Sequence, residues 1–149
     1  MTELKGEAKE VALAEAQAVL AMAHNDGMRE RLSELVGQVD DGAVEGEALE
    51  LLEQVLELGL QTGRIRAYYG PGGEQAAVST LRRLPRGRAR SDSARDVSSA
   101  LAALGGKTLD RVSIAAIAPG SYTLTINADG FETAIRLDGS GARLVSVGT

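Results

Sequence analysis

Apolar residues recur with a helical period through roughly the first two-thirds of the chain, then switch to strict alternation. A first helix is expected over residues 3–24. Between Val11 and Ala23 its only polar residues are Glu15 and Gln17, and so much Ala favours a helix with a thin apolar surface. Asn25-Asp26-Gly27 ends it, and His24 beside that turn reads as a C-terminal cap. A second helix is expected over about 28–39, with Met28, Leu32, Leu35, Val36 and Val39 on one face. Asp40-Asp41-Gly42 breaks the chain again.

The third helix is expected over about 45–69. Glu50, Glu53, Gln54, Glu57, Gln61 and Arg64 fall in one narrow polar stripe, and leucines, Val55 and Ile65 fill most of the remaining circumference. A helix so apolar belongs at the centre of its domain. Gly59 and Gly63 on it mark close helix approach or a weak point. Gly70-Pro71-Gly72-Gly73 then starts a fourth helix, about 74–84, which Pro85 stops. Residues 85–92, Pro-Arg-Gly-Arg-Ala-Arg-Ser-Asp, read as an exposed, mobile linker. A fifth helix, about 94–104, follows with Ser93 and Asp96 as its N-terminal capping pair and Val97, Leu101 and Leu104 inside.

Alternation takes over from Val112. Val112, Ile114 and Ala116 share a strand face, as do Tyr122, Leu124 and Ile126, then Phe131, Thr133, Ile135 and Leu137. Pro119-Gly120, Asn127-Ala128-Asp129-Gly130 and Asp138-Gly139-Ser140-Gly141 supply the turns, and Val145 and Val147 lie in a last strand. The pattern predicts an α+β fold: a helical N-terminal region of three or four helices, then a helix packed on a four-stranded antiparallel β-meander. The expected organisation is a helical subdomain 1–84, an Arg-rich linker 85–92 and a helix-plus-sheet subdomain 93–149, possible also as one compact domain.

Composition adds little to class and something to surface. At 149 residues with 44% hydrophobic and 25% charged side chains, the chain can bury a core without disulfide or metal. It has no Cys, no Trp and one Phe, so aliphatic side chains fill that core. No stretch approaches a membrane span, and the first residues lack the basic and apolar regions of a signal peptide. A cytoplasmic location is the expectation. Arg outnumbers Lys 13 to 3, which with abundant Ala and Gly suggests a bacterial origin from a GC-rich genome.

Charge is sorted along the chain. Residues 1–60 carry net −10, residues 61–95 net +6 and residues 96–149 net −1. Part of this follows helix macrodipoles, with Glu at helix starts and Arg64, Arg66, Arg82 and Arg83 at expected helix ends. Arg86, Arg88, Arg90 and Arg95 have no such explanation and form the candidate electrostatic contact. They could track phosphates or dock an acidic protein, or be neutralised by the chain's own acidic helices. No aromatic residue is interleaved to stack on bases, and the chain is acidic overall, which weighs against nucleic acid as the main ligand.

No catalytic, cofactor or metal site is assigned. The Gly-Pro-Gly-Gly-Glu stretch lacks the Lys and Ser/Thr of a phosphate loop, and Glu74 in the first turn repels an anion. His24 is the only histidine, and no serine sits in a Gly-x-Ser-x-Gly setting. Three functions stay open: a non-catalytic protein-interaction or assembly module that self-associates, an anion or nucleic-acid binder using residues 82–95, and a small enzyme or ligand-binding module with a pocket between helices and sheet.

Overall fold

The computed structural model describes residues 1–148. Among them, five helices precede a four-stranded antiparallel sheet, and the chain is α+β as its pattern predicts. Contacts divide it into one unit ending at Arg88 and another beginning at Ala89.

In the first unit, α1 (Gly6–Met22) buries Val11, Ala12 and Ala16, and α2 (Asp26–Asp41) buries Leu32, Leu35 and Val39. The Asn25 side chain accepts the Met28 N–H at 3.0 Å and so starts α2. Gly42, at φ 87°, ends it in the left-handed conformation that glycine adopts without steric cost. His24 lies exposed in the connection; the last turn of α1 is instead served by Arg29, whose guanidinium donates to the Ala23 carbonyl at 3.1 Å. Two-residue strands, β1 (Thr2–Glu3) and β2 (Ala43–Val44), pair antiparallel and tuck Leu4 and Val44 into the core. They are too short for alternation to announce them.

The expected helix 45–69 is two helices. α3 (Ala48–Gln61) stops where Thr62 bends back, its N–H and hydroxyl both donating to the Leu58 carbonyl, and Gly63 turns the chain at φ 74°. α4 (Arg64–Leu81) begins at once, so Ile65 is buried from a different helix. The apolar period runs through the break because both helices bury their faces in one core. Gly70, at φ 70° and ψ −172°, kinks α4, and Pro71 restarts it at a position that lacks a helical N–H partner anyway. Leu51, Leu52, Val55 and Leu56 of α3 are central, as predicted; each fully buried leucine contributes roughly 1.5–3 kcal/mol.

Residues 85–92 are helical, which corrects the expectation of an exposed, mobile segment there. α5 (Pro85–Ala102) begins at Pro85 and runs through those residues, so Ser93 and Asp96 are interior rather than capping. The physical reason lies in Gly87. A Cβ there would collide with the backbone carbonyl of Leu81, so glycine lets the first turn of α5 sit against the end of α4. Leu84 between them is completely buried.

In the second unit, β3 (Leu109–Ala118), β4 (Ser121–Ala128), β5 (Phe131–Asp138) and β6 (Gly141–Gly148) form a meander in sequence order. Each connection is a two-residue turn: Pro119-Gly120, Asp129-Gly130 and Gly139-Ser140. Asp129, at φ 47°, and Gly130, at φ 81°, supply the positive angles that a tight hairpin turn needs. Bulges interrupt β3 near both ends and β6 at Val145. Among the described residues no helix is long and apolar enough to cross a membrane.

Candidate functional site

Helix formation redistributes the candidate arginines. Within α5, Arg88 lies about 160° round the axis from Arg86, and Arg95 about 140° from Arg90. The arginines are engaged with their own chain. The guanidinium of Arg86 meets Glu53 at 2.9 Å and Glu57 at 4.0 Å. Arg88 donates to the Arg83 carbonyl at 3.3 Å, and Arg83 to the Glu3 carbonyl at 3.3 Å. Arg95 pairs with Asp92 at 3.5 Å. The aliphatic stem of Arg90 lies 3.6 Å from where a Cβ on Gly141 would sit.

The Arg86 contact is the most structured of these. Glu53 of α3 is 0% exposed, against the solvated polar stripe that helical periodicity assigns it. Its carboxylate accepts the Arg86 backbone N–H at 2.8 Å and the Nε–H at 2.9 Å. One side chain therefore caps the first turn of α5 and neutralises the arginine that follows. The hydrogen bond to Glu53 holds the guanidinium further above its already high ordinary range, against burial.

A second buried carboxylate repeats the arrangement. Glu15 of α1 is 2% exposed and accepts from Arg64 Nε at 3.1 Å. Arg64 also lies over the Tyr68 ring, 5.2 Å from its centroid. Burial raises the Tyr69 phenol above its ordinary value. The Glu15 charge reinforces this, Arg64 opposes it, and a hydrogen bond to Glu15 adds a further increment. Only the rarity of polar residues in α1 singled out Glu15 in the sequence, and nothing there pointed to its partner.

On the helical unit, Val19, Met22, Met28, Leu51, Val55 and Leu58 line an apolar groove of about 290 Å³. Its neighbour of about 310 Å³ shares Val19, Met22 and Leu58 and reaches Glu15 and Arg64.

The second unit presents a different surface. Register places Val112, Ile126, Thr133 and Val147 in one cross-strand row, and Ile114, Leu124, Ile135 and Leu144 in the next, on the same face. The middle of this face is covered: Ile135 is 1% exposed and Ile126 8%. Its rims are not. Val112 and Ile114 on β3 are 52% and 62% exposed, and Leu144 and Val147 on β6 are 39% and 56%. At the β5–β6 turn, Asp138 is held below its ordinary carboxylate value by the Ser140 hydroxyl and backbone N–H, with Arg143 assisting at 2.7 Å. That network secures the hairpin whose second strand carries one rim.

No protein-family model, no curated protein and no solved structure matches the chain.

Proposed function

We propose that this protein is a non-catalytic interaction or assembly module that self-associates through the apolar rims of its sheet. The observation that carries this reading is the exposure of Val112, Ile114, Leu144 and Val147 on one sheet face. With the neighbouring Tyr122, the exposed parts of Val112 and Ile114 on the β3 side come to roughly 300 Å², the lower end of the size at which a patch on a soluble protein is often functional. The rims are apolar on both sides of a buried centre, so a second copy matches them without any requirement for opposite charge. In this reading Glu15 and Glu53 are structural carboxylates, each engaged by an arginine. The internal engagements of Arg83, Arg86, Arg88 and Arg95 favour this reading over an arginine-based anion site.

Sedimentation velocity from low to high micromolar concentration tests the proposal. The expected result is reversible association that weakens with Ile114→Asp. A strict monomer across that range would sink it.

A further inference from the structure

We infer that two copies associate edge to edge through β3, in an antiparallel register centred on Ser113; this rests on the self-association proposed above and assigns it to the β3 rim, not the β6 rim. The two outer edges of the sheet differ. β6 is broken by the bulge at Val145, which leaves short regular stretches on either side. Bulges of this kind protect an edge against pairing with another chain. β3 keeps six consecutive residues in regular register, Arg111 to Ala116, between its two bulges. That stretch holds no Pro and no Lys, and Arg111 is its single charge. It is a strand edge with backbone donors and acceptors available to a further strand and little to repel one.

Self-complementarity selects a second copy as the occupant. An antiparallel pair related by a two-fold axis at Ser113 sets Val112 opposite Ile114 of the second copy, and Ile114 opposite its Val112. Both contacts are β-branched cross-strand pairs on the face where the two residues are exposed. The same register sets Arg111 opposite Ala115 of the second copy, so the one charge of the stretch does not meet itself. Moving the axis to Ile114 keeps five paired positions but replaces two Val–Ile pairs by one Ile–Ile pair and two Val–Ala pairs.

The size of the contact sets its strength. Leu109, Val112, Ile114 and Ile117 are each more than half exposed. Complete burial of all four on both copies would remove roughly 800 Å² of apolar surface; edge pairing covers their flanks and leaves the outer faces open, so the contact falls below about 1,000 Å², in the range of weak, transient interfaces. The dimer is therefore a weak, reversible one.

The absence of Cys from the chain makes the register directly testable. Directly opposed residues of an antiparallel pair have Cβ atoms about 4.5–5.5 Å apart, close enough for a disulfide with small adjustment. Ser113→Cys in the full chain should give a covalent dimer under mild oxidation, and Ser146→Cys on the other edge should not. Charge provides the second measurement. Ala115→Lys puts like charges opposite Arg111 twice and should weaken the sedimentation-derived Kd by about tenfold, whereas Ala115→Glu should tighten it. A variant effect that came only from folding would weaken both. If the wild-type chain is a strict monomer, self-association fails and the edge pairing with it. If the wild type dimerises but Ser113→Cys does not cross-link and the two Ala115 variants behave alike, self-association stands and β3 pairing is overturned.

Discussion

Arg86 holds the buried carboxylate of Glu53 with two donors at once, its backbone N–H at 2.8 Å and its Nε–H at 2.9 Å. The contact joins the centre of α3 to the first turn of α5 across 33 residues of sequence. It converts the most basic part of the chain from a free surface into an element of the fold.

The two partners of this contact should not be equivalent. Glu53→Ala removes the cap and the counter-charge together and leaves a cavity in a closed core, and should cost about 3–5 kcal/mol. Arg86→Ala keeps the backbone donor, and its guanidinium is half in solvent, so the cost should be nearer about 1–2 kcal/mol. Urea denaturation of the two variants checks the order. Equal losses would show that the backbone cap adds nothing.

Gly87→Ala should be among the most damaging single-methyl additions in the chain. The new Cβ would meet the Leu81 carbonyl, which is main chain and cannot rotate away. A loss of about 2–4 kcal/mol is expected, in spite of the better helix propensity of Ala. Thermal melts would show it as a large drop in Tm. An unchanged Tm would mean that α5 does not start against α4 as described.

Gly59→Ala tests the crossing of α1, α3 and α4. A Cβ there would lie 2.7 Å from Ile65 Cδ1 and 2.9 Å from Glu15 Oε2. Ile65 and Glu15 are both buried, so neither can swing into solvent. The expected loss is about 1–3 kcal/mol by chemical denaturation. Gly59→Ala combined with Ile65→Ala, which removes both the Cδ1 and the Cγ1 that lies 2.8 Å from the new carbon, should lose less than the sum of the two single changes.

Tyr69 sets a pH dependence at the alkaline end. Its folded value is raised, by burial first and by Glu15 second. A raised value means that the folded state keeps its proton where the unfolded chain has lost it. The resulting stability is complete below the ordinary tyrosine value of about 10 and is lost as pH rises through the folded value. Equilibrium denaturation across that range should show the decline, and Tyr69→Phe should flatten it. A decline of the same size in Tyr69→Phe would assign the effect to other groups.

Much of the architecture was legible because its signals are local. Alternation from Val112 to Val147 and the turn pairs Pro119-Gly120 and Asp129-Gly130 specify a meander without reference to the rest of the chain. Gly59 and Gly63 were readable as close approach or weakness, and the structure divides the two roles between them: Gly59 packs against Ile65, and Gly63 ends a helix. The split of residues 45–69 was hidden because α3 and α4 share a core, which makes their apolar periods run on. The site was less legible. Exposure of Ile114 and burial of Ile135 follow from strand order, and both residues alternate identically in the sequence.

The sequence by itself determined the α+β class, the succession of a helical region by four meander strands, and the hairpin turns of that meander, since periodicity, glycine and proline act within a few residues. Tertiary structure decided what the charges do. A glutamate on a polar helical stripe and an arginine beside a proline carry no mark of each other in sequence. Burial in a low-dielectric core makes their pairing obligatory, because a charged carboxylate left there without donors is too costly to keep. Likewise, Pro-Arg-Gly-Arg is punctuation when read locally. It became the start of a helix because Glu53 supplied an acceptor and the Leu81 carbonyl left room only for glycine.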